Sequence, residues 1–203
     1  MPRWFIEGGP VMYPLLLCSV FALAIILERF YTLSKIKGDT RTFTRKVKKF
    51  LLANEPEKAL SLCEESRTPI SFIFKTGLLR RTLSKEEIEK SMEDEAVHQV
   101  SFLQKYLKGL AIISNISPLL GFLGTVTGLY RAFKAIVMAG GVTSTSVVAE
   151  GIAEALITTV AGLCIAIPVV IFHGYFISSI DNLILEMERE STELIEILKR
   201  DEK

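Results

Sequence analysis

Two apolar stretches of this chain, residues 111–138 and 147–180, carry side chains that hydrocarbon does not hold without a purpose. Thr125, Arg131 and Lys134 lie in the first, and Glu150, Glu154, Thr158 and Thr159 in the second. An ionisable residue inside an apolar span is expensive and marks, by default, a route for something polar. Counting down from the intervening turn at about 1.5 Å per residue puts Thr125 and Thr159 roughly 18–20 Å deep. Arg131 and Glu154 sit at roughly 10 Å, with Lys134 and Glu150 shallower still. The chemistry on offer is an outer layer of two acids and two bases, Glu150 and Glu154 against Arg131 and Lys134, above a deeper layer of hydroxyls.

Glu154 has two readings at this point: a structural ion pair with Arg131, or a polar group lining a water- or ion-accessible interior. Glu154 and Thr158 are four apart and share a helix face. Thr159 is rotated from them by about 140°, so one narrow stripe does not hold all three equally. A threonine hydroxyl can also simply bond its own helix backbone. Gly121, Gly124, Gly128 and Gly162 read as places where membrane helices approach closely, because small residues permit that approach.

Other chemistries lack their residues. There is no metal-ligand spacing, no phosphate loop in strand–helix context and no nucleophile–base–orienter set, so neither an enzyme, a cofactor nor a metal is expected. His98 and His173 stand alone. Cys18, Cys63 and Cys164 read as free packing thiols. Lys+Arg (24) and Asp+Glu (23) nearly cancel, which makes no electrostatic case for a nucleic-acid partner, and none is expected.

The elements that must position the polar residues are membrane helices. The reading is an all-α integral membrane protein with three transmembrane helices, long cytoplasmic helical extensions and the N-terminus outside. Its parts are an interfacial segment (1–10), a first span (11–33), a cytoplasmic helical domain (34–110), a second span (111–138), a short periplasmic turn (139–146), a third span (147–178) and a cytoplasmic C-terminal helix (179–203). The apolar stretches 111–138 and 147–180 would be about 42 and 51 Å long as helices. Hydrocarbon is about 30 Å thick, so they continue into water. Residues 34–108 hold sixteen Lys or Arg and the turn holds none. Basic residues stay on the cytoplasmic side, which fixes the orientation.

Within the cytoplasmic part, residues 40–53 carry a basic face (Arg41, Arg45, Lys46, Lys48, Lys49), either solvated or against anionic lipid. Pro56 and Pro69 start short helices over 56–65 and 69–83, at the position where proline is tolerated. Ser84 and Glu87 fit a capping box. Nothing in the sequence then stops the helix, so one long helix is expected from about residue 84 to 138. Past Ile180 the last helix places Ile184, Met187, Leu194 and Leu198 at three–four spacing, a stripe suited to packing on a neighbour.

The segments LGFLGTVTGLYRAF (120–133) and GIAEALITTVAGLCIAIPVV (151–170), with GGPVMYPLLLCSVFALAIILERF (8–30) before them, resemble the MotA/TolQ/ExbB proton-channel family, in its ExbB/TolQ branch. The resemblance covers all three spans in order. It implies a ring subunit, pentameric, in a bacterial inner membrane. This ring would enclose the single-span helices of an ExbD/TolR-like partner bearing an intramembrane aspartate and act through a TonB- or TolA-like protein. It implies Thr125, Glu154 and Thr159 as lining of the proton path, with Thr158 beside them. A non-conducting scaffold and a sodium-driven relative are the alternatives. Arg131 and Glu150 depart from the family's pattern, and the depth count pairs Arg131 or Lys134 with Glu150 or Glu154.

Overall fold

The computed structural model describes residues 3–139 and 145–200, so most of the expected outer turn lies outside the described residues. All regular structure there is helical: α1 (Arg3–Glu7), α2 (Met12–Leu52), α3 (Pro56–Glu65), α4 (Pro69–Leu79), α5 (Lys85–Leu103), α6 (Leu107–Met138) and α7 (Thr145–Arg200). Three helical stretches are long and apolar enough to cross a membrane, in α2, in α5–α6 and in α7.

The chain divides into two compact units. The first contains the chain up to Glu28 and Tyr106–Tyr175, and therefore the apolar part of α2, all of α6 and most of α7. Its centre is made where Phe5, Val11, Met12 and Leu15 meet Leu120, Ile157, Ala161 and Ile165. Its outer faces are apolar as well: Phe21, Phe122, Phe133 and Ile171 are all more than 60% exposed. Large exposed apolar surface of this kind marks contact with lipid or with another chain.

The second unit holds Arg29–Lys105 and the chain from Phe176 onward. Here α4 packs on α3 and α5, the Phe74 ring of α4 lies 6.0 Å from that of Phe43 of α2, and Val47 and Leu51 of α2 and Phe176, Ile180, Leu183, Met187 and Leu194 of α7 are buried. The stripe on α7 thus centres on Leu183 rather than on the expected Ile184, which is half-buried. Prolines open α3 and α4 as their type requires. The capping box is present, with the Glu87 amide donating to Ser84 Oγ at 3.3 Å and the Ser84 amide donating to Glu87 Oε2 at 3.1 Å. Those bonds to Ser84 hold the Glu87 carboxyl below its ordinary value. Burial pushes the Cys63 thiol up to about 12, which keeps it in the unreactive protonated form.

Two expectations are corrected. The helix from residue 84 to 138 is not continuous: α5 ends at Leu103, Tyr106 takes a left-handed backbone with φ 69°, and α6 starts at Leu107. A non-glycine residue in that region carries no compositional mark, so no stop signal was there to read. Helix α4 likewise ends at Leu79 rather than at residue 83, because the amides of Arg80, Arg81 and Leu83 turn back onto Gly77, Leu78 and Arg80.

Candidate functional site

Helices α6 and α7 run antiparallel within the first unit, and glycines set their register. A Cβ on Gly121 would stand 2.9 Å from the Thr158 carbonyl, one on Gly128 2.6 Å from the Gly151 carbonyl, and one on Gly162 2.5 Å from the Ser117 carbonyl. Gly124 leaves the space that the Thr158 side chain fills. These approaches are backbone against backbone, closer than any residue with a side chain would permit.

That register locates each predicted residue. Since Gly124 faces Thr158, Thr125 and Thr159 lie one residue to either side of a common level, about 3 Å apart along the axes. Both are half-buried. Thr125 Oγ1 donates to the Phe122 carbonyl at 2.6 Å and Thr159 Oγ1 to the Ala155 carbonyl at 3.1 Å, leaving the oxygens of both hydroxyls as acceptors. Thr158 is different. It is fully buried between the two helices and donates to the Glu154 and Ala155 carbonyls at 3.0 and 2.9 Å. It is a packing residue beneath Gly124.

One helical turn nearer the C-terminal end of α6, Arg131 Nη1 donates to Glu154 Oε1 at 2.7 Å and to Oε2 at 3.0 Å. The carboxylate side chain is 11% exposed and that of Arg131 52%. The backbone of Arg131 stands about 4–5 Å nearer the turn than that of Glu154, a gap its long side chain spans. Lys134 and Glu150 are not brought together: both are exposed, and no ion pair joins them among the described residues. The outer layer is therefore one engaged pair and two separate charges, not two pairs.

A third participant at the ion pair carries no chemical group of its own. Gly9 has φ +69°, and a Cβ on it would collide with Glu154 Oε1 and lie 3.4 Å from Arg131 Nη1. The turn joining α1 to α2 thus covers the ion pair with bare backbone. Gly8-Gly9-Pro10 reads from sequence only as a helix breaker, although a glycine pair ahead of a span was the available signal. Gly9→Ala is expected to lower the melting stability of the solubilised protein by about 1–2 kcal/mol from the left-handed backbone alone. Gly8→Ala, whose nearest contact is the flexible Met12 side chain, is expected to do less. Equal effects of the two substitutions would remove Gly9 from the site.

A second missed residue, Arg29, is 2% exposed in the other unit, where its Nη1 donates to the Leu103 carbonyl at 3.0 Å. It satisfies one of the unpaired carbonyls at the end of α5, where a cation also suits the helix dipole.

Comparison with known proteins adds to this geometry. Residues 65–189 match the profile of the MotA/TolQ/ExbB proton channel family. A Synechocystis sp. protein named for ExbB-like biopolymer transport (ExbB-like 3) is 33% identical over 171 residues, covering 83% of this chain and 81% of its own. The biopolymer transport protein exbB1 of Vibrio cholerae is 32% identical over 80% of this chain and 72% of its own. The Tol-Pal system protein TolQ of Haemophilus influenzae is 31% identical over 77% of this chain and 73% of its own.

Proposed function

This chain belongs to the MotA/TolQ/ExbB proton channel family, and on that premise we propose that it is the ring subunit of a proton-driven motor in a bacterial inner membrane. In this reading several copies, five by resemblance, surround an ExbD/TolR-like single-span partner. Proton flow through the ring then performs work on the cell envelope, of the biopolymer-transport or Tol-Pal kind for which the relatives are named. The N-terminus and the 139–146 turn lie on the periplasmic side, and residues 34–110 and 179–203 in the cytoplasm, as the distribution of basic residues supports.

The observation that carries the reading is the division of labour in the hairpin. Its buried carboxylate, Glu154, is already engaged by Arg131. Thr125 and Thr159, near one level, keep acceptor lone pairs that can receive a proton from a neutral carboxyl. No aspartate lies in any span. The titrating acid therefore belongs to the partner, and this chain supplies hydroxyls and a fixed ion pair beside its route.

One observation favours the scaffold alternative: every one of these threonine hydroxyls already donates to its own helix backbone. Thr125→Val with Thr159→Val separates the two, because valine keeps the shape and removes the lone pairs. Co-expressed with its partner, the double variant is expected to assemble normally and to lose tenfold or more of proton flux through the reconstituted complex, at about 1.4 kcal/mol per tenfold. Unchanged flux would favour the scaffold. Flux that follows sodium and ignores a protonophore would favour the sodium-driven relative.

A further inference from the structure

The second unit contains a feature that the proton path does not use. An open groove of about 1410 Å³ runs between the basic part of α2 and residues 182–190 of α7. Six basic side chains line it against two acidic ones. Four of them, Lys37, Arg41, Arg45 and Lys49, follow at intervals of four residues along α2. That spacing lays one stripe of positive charge at about 6 Å intervals along the groove.

The acids of α7 neutralise only part of this charge. Lys48 is held between Glu190 and Glu193 at 2.6 and 2.5 Å, and Arg41 meets Glu186 at 3.1 Å. Burial works to lower the Lys48 ammonium's pKa, but the hydrogen bonds and charges of Glu190 and Glu193 outweigh it and raise it, so Lys48 is charged and occupied. The same contacts hold the Glu193 carboxyl below its ordinary value. Lys37 donates to the Ser179 hydroxyl at 3.3 Å and has no carboxylate partner among the described residues. Arg45 and Lys49 are exposed and make no ion pair among the described residues. Three cations of one stripe thus face open space on the same wall, an arrangement in which like charges repel unless an anion joins them.

We propose that this groove is a binding site for a phosphate-bearing polyanion, either the headgroup of an anionic phospholipid or a soluble polyphosphate. Arg45 offers an unengaged planar fork that matches phosphate oxygens in pairs, Arg41 and Arg189 donate through Nε to Glu186 and Glu193 and keep their Nη groups for an anion, and Lys37 and Lys49 act as point charges at either end of the stripe. The Lys48 clamp to α7 holds the two walls together, so the site is formed before the anion arrives. It is independent of the proton path, and its test reads binding rather than flux.

Arg45→Ser with Lys49→Ser removes two cations that hold no other element in place, so the fold is expected to persist. Lys46→Ser, an exposed neighbour outside the groove, is the control. Titration of inorganic tripolyphosphate into the full-length protein in a non-ionic detergent reads the soluble source. Phosphatidylglycerol retained per chain, after reconstitution in phosphatidylglycerol–phosphatidylcholine nanodiscs and re-solubilisation, reads the lipid source. In whichever arm the wild type binds, the double variant is expected to lose about tenfold or more in affinity or retention, with binding steeply weakened by salt, while Lys46→Ser behaves as wild type. Failure of both probes to distinguish wild type from the double variant overturns the site. That result is also expected if a neighbouring copy fills the groove.

Discussion

Arg131→Ala is expected to destabilise the α6–α7 hairpin more than Glu154→Gln, and the double variant to be more stable than Arg131→Ala alone. Removing the arginine leaves a carboxylate that is 11% exposed, in a membrane-spanning hairpin, with the Nη1 donor shared by its two oxygens gone. Breaking a fully buried pair from one side costs about 3–5 kcal/mol. Arg131 is itself half exposed, so the cost here is nearer about 1–3 kcal/mol. Removing the acid instead leaves a cation on a long, half-exposed side chain that can turn away from the hairpin toward the membrane interface, which is the cheaper loss. Melting of the four proteins of the cycle, followed in detergent by loss of the assembled species, gives the coupling directly. A coupling of about 1–3 kcal/mol is expected, and additive single effects would mean that the pair is not one unit. Flux in the same four proteins asks a separate question. A double variant that is folded but inactive would assign the charge of Glu154 to function as well as to structure.

Gly128→Ala and Gly162→Ala are expected to loosen the hairpin by about 1–3 kcal/mol each, the range found for overpacking. The added Cβ would stand 2.6 Å from the Gly151 carbonyl in the first case and 2.5 Å from the Ser117 carbonyl in the second. Both opposing atoms are backbone, so no rotamer relieves the contact and the helices themselves must part. Thr125 and Thr159 would then lose their common level and Arg131 its reach to Glu154, so assembly and flux fall together. Gly174→Ala is the matched control in α7, with nothing within 4 Å of the new atom. There alanine is expected to be neutral, or to stabilise by up to about 1 kcal/mol through helix propensity. If Gly128→Ala melts like Gly174→Ala, the close approach does not set the register.

Much of this could be read along the chain. The apolar lengths, the proline starts, the capping box at Ser84 and the small residues of the hairpin are local signals, each carried by a few neighbouring residues. The level of Thr125 and Thr159 was also accessible, because helix rise is constant and depth can be counted from a turn. The break at Tyr106 was not, since its backbone conformation is unusual for its residue type. Counting likewise placed Arg131 with Glu154 and Lys134 with Glu150 on equal terms, and could not rank the two.

What the sequence by itself determined is the kind of protein: a helical membrane protein of the proton channel family, with polar groups placed inside its third span. The helical membrane character follows from composition, spacing and local propensity, which accumulate residue by residue; the family follows from the likeness of whole segments to known members. What only the tertiary structure decided is which polar groups meet. Thr158 turns into the helix contact beneath Gly124 while Thr159 stays half-exposed, and Arg131 reaches Glu154 while Lys134 and Glu150 stay apart. Gly9, far away in sequence, closes over the pair. Such pairings depend on the register and rotation of packed helices to within a fraction of a turn. Contacts between distant backbones at glycines fix those quantities, and no local pattern records them.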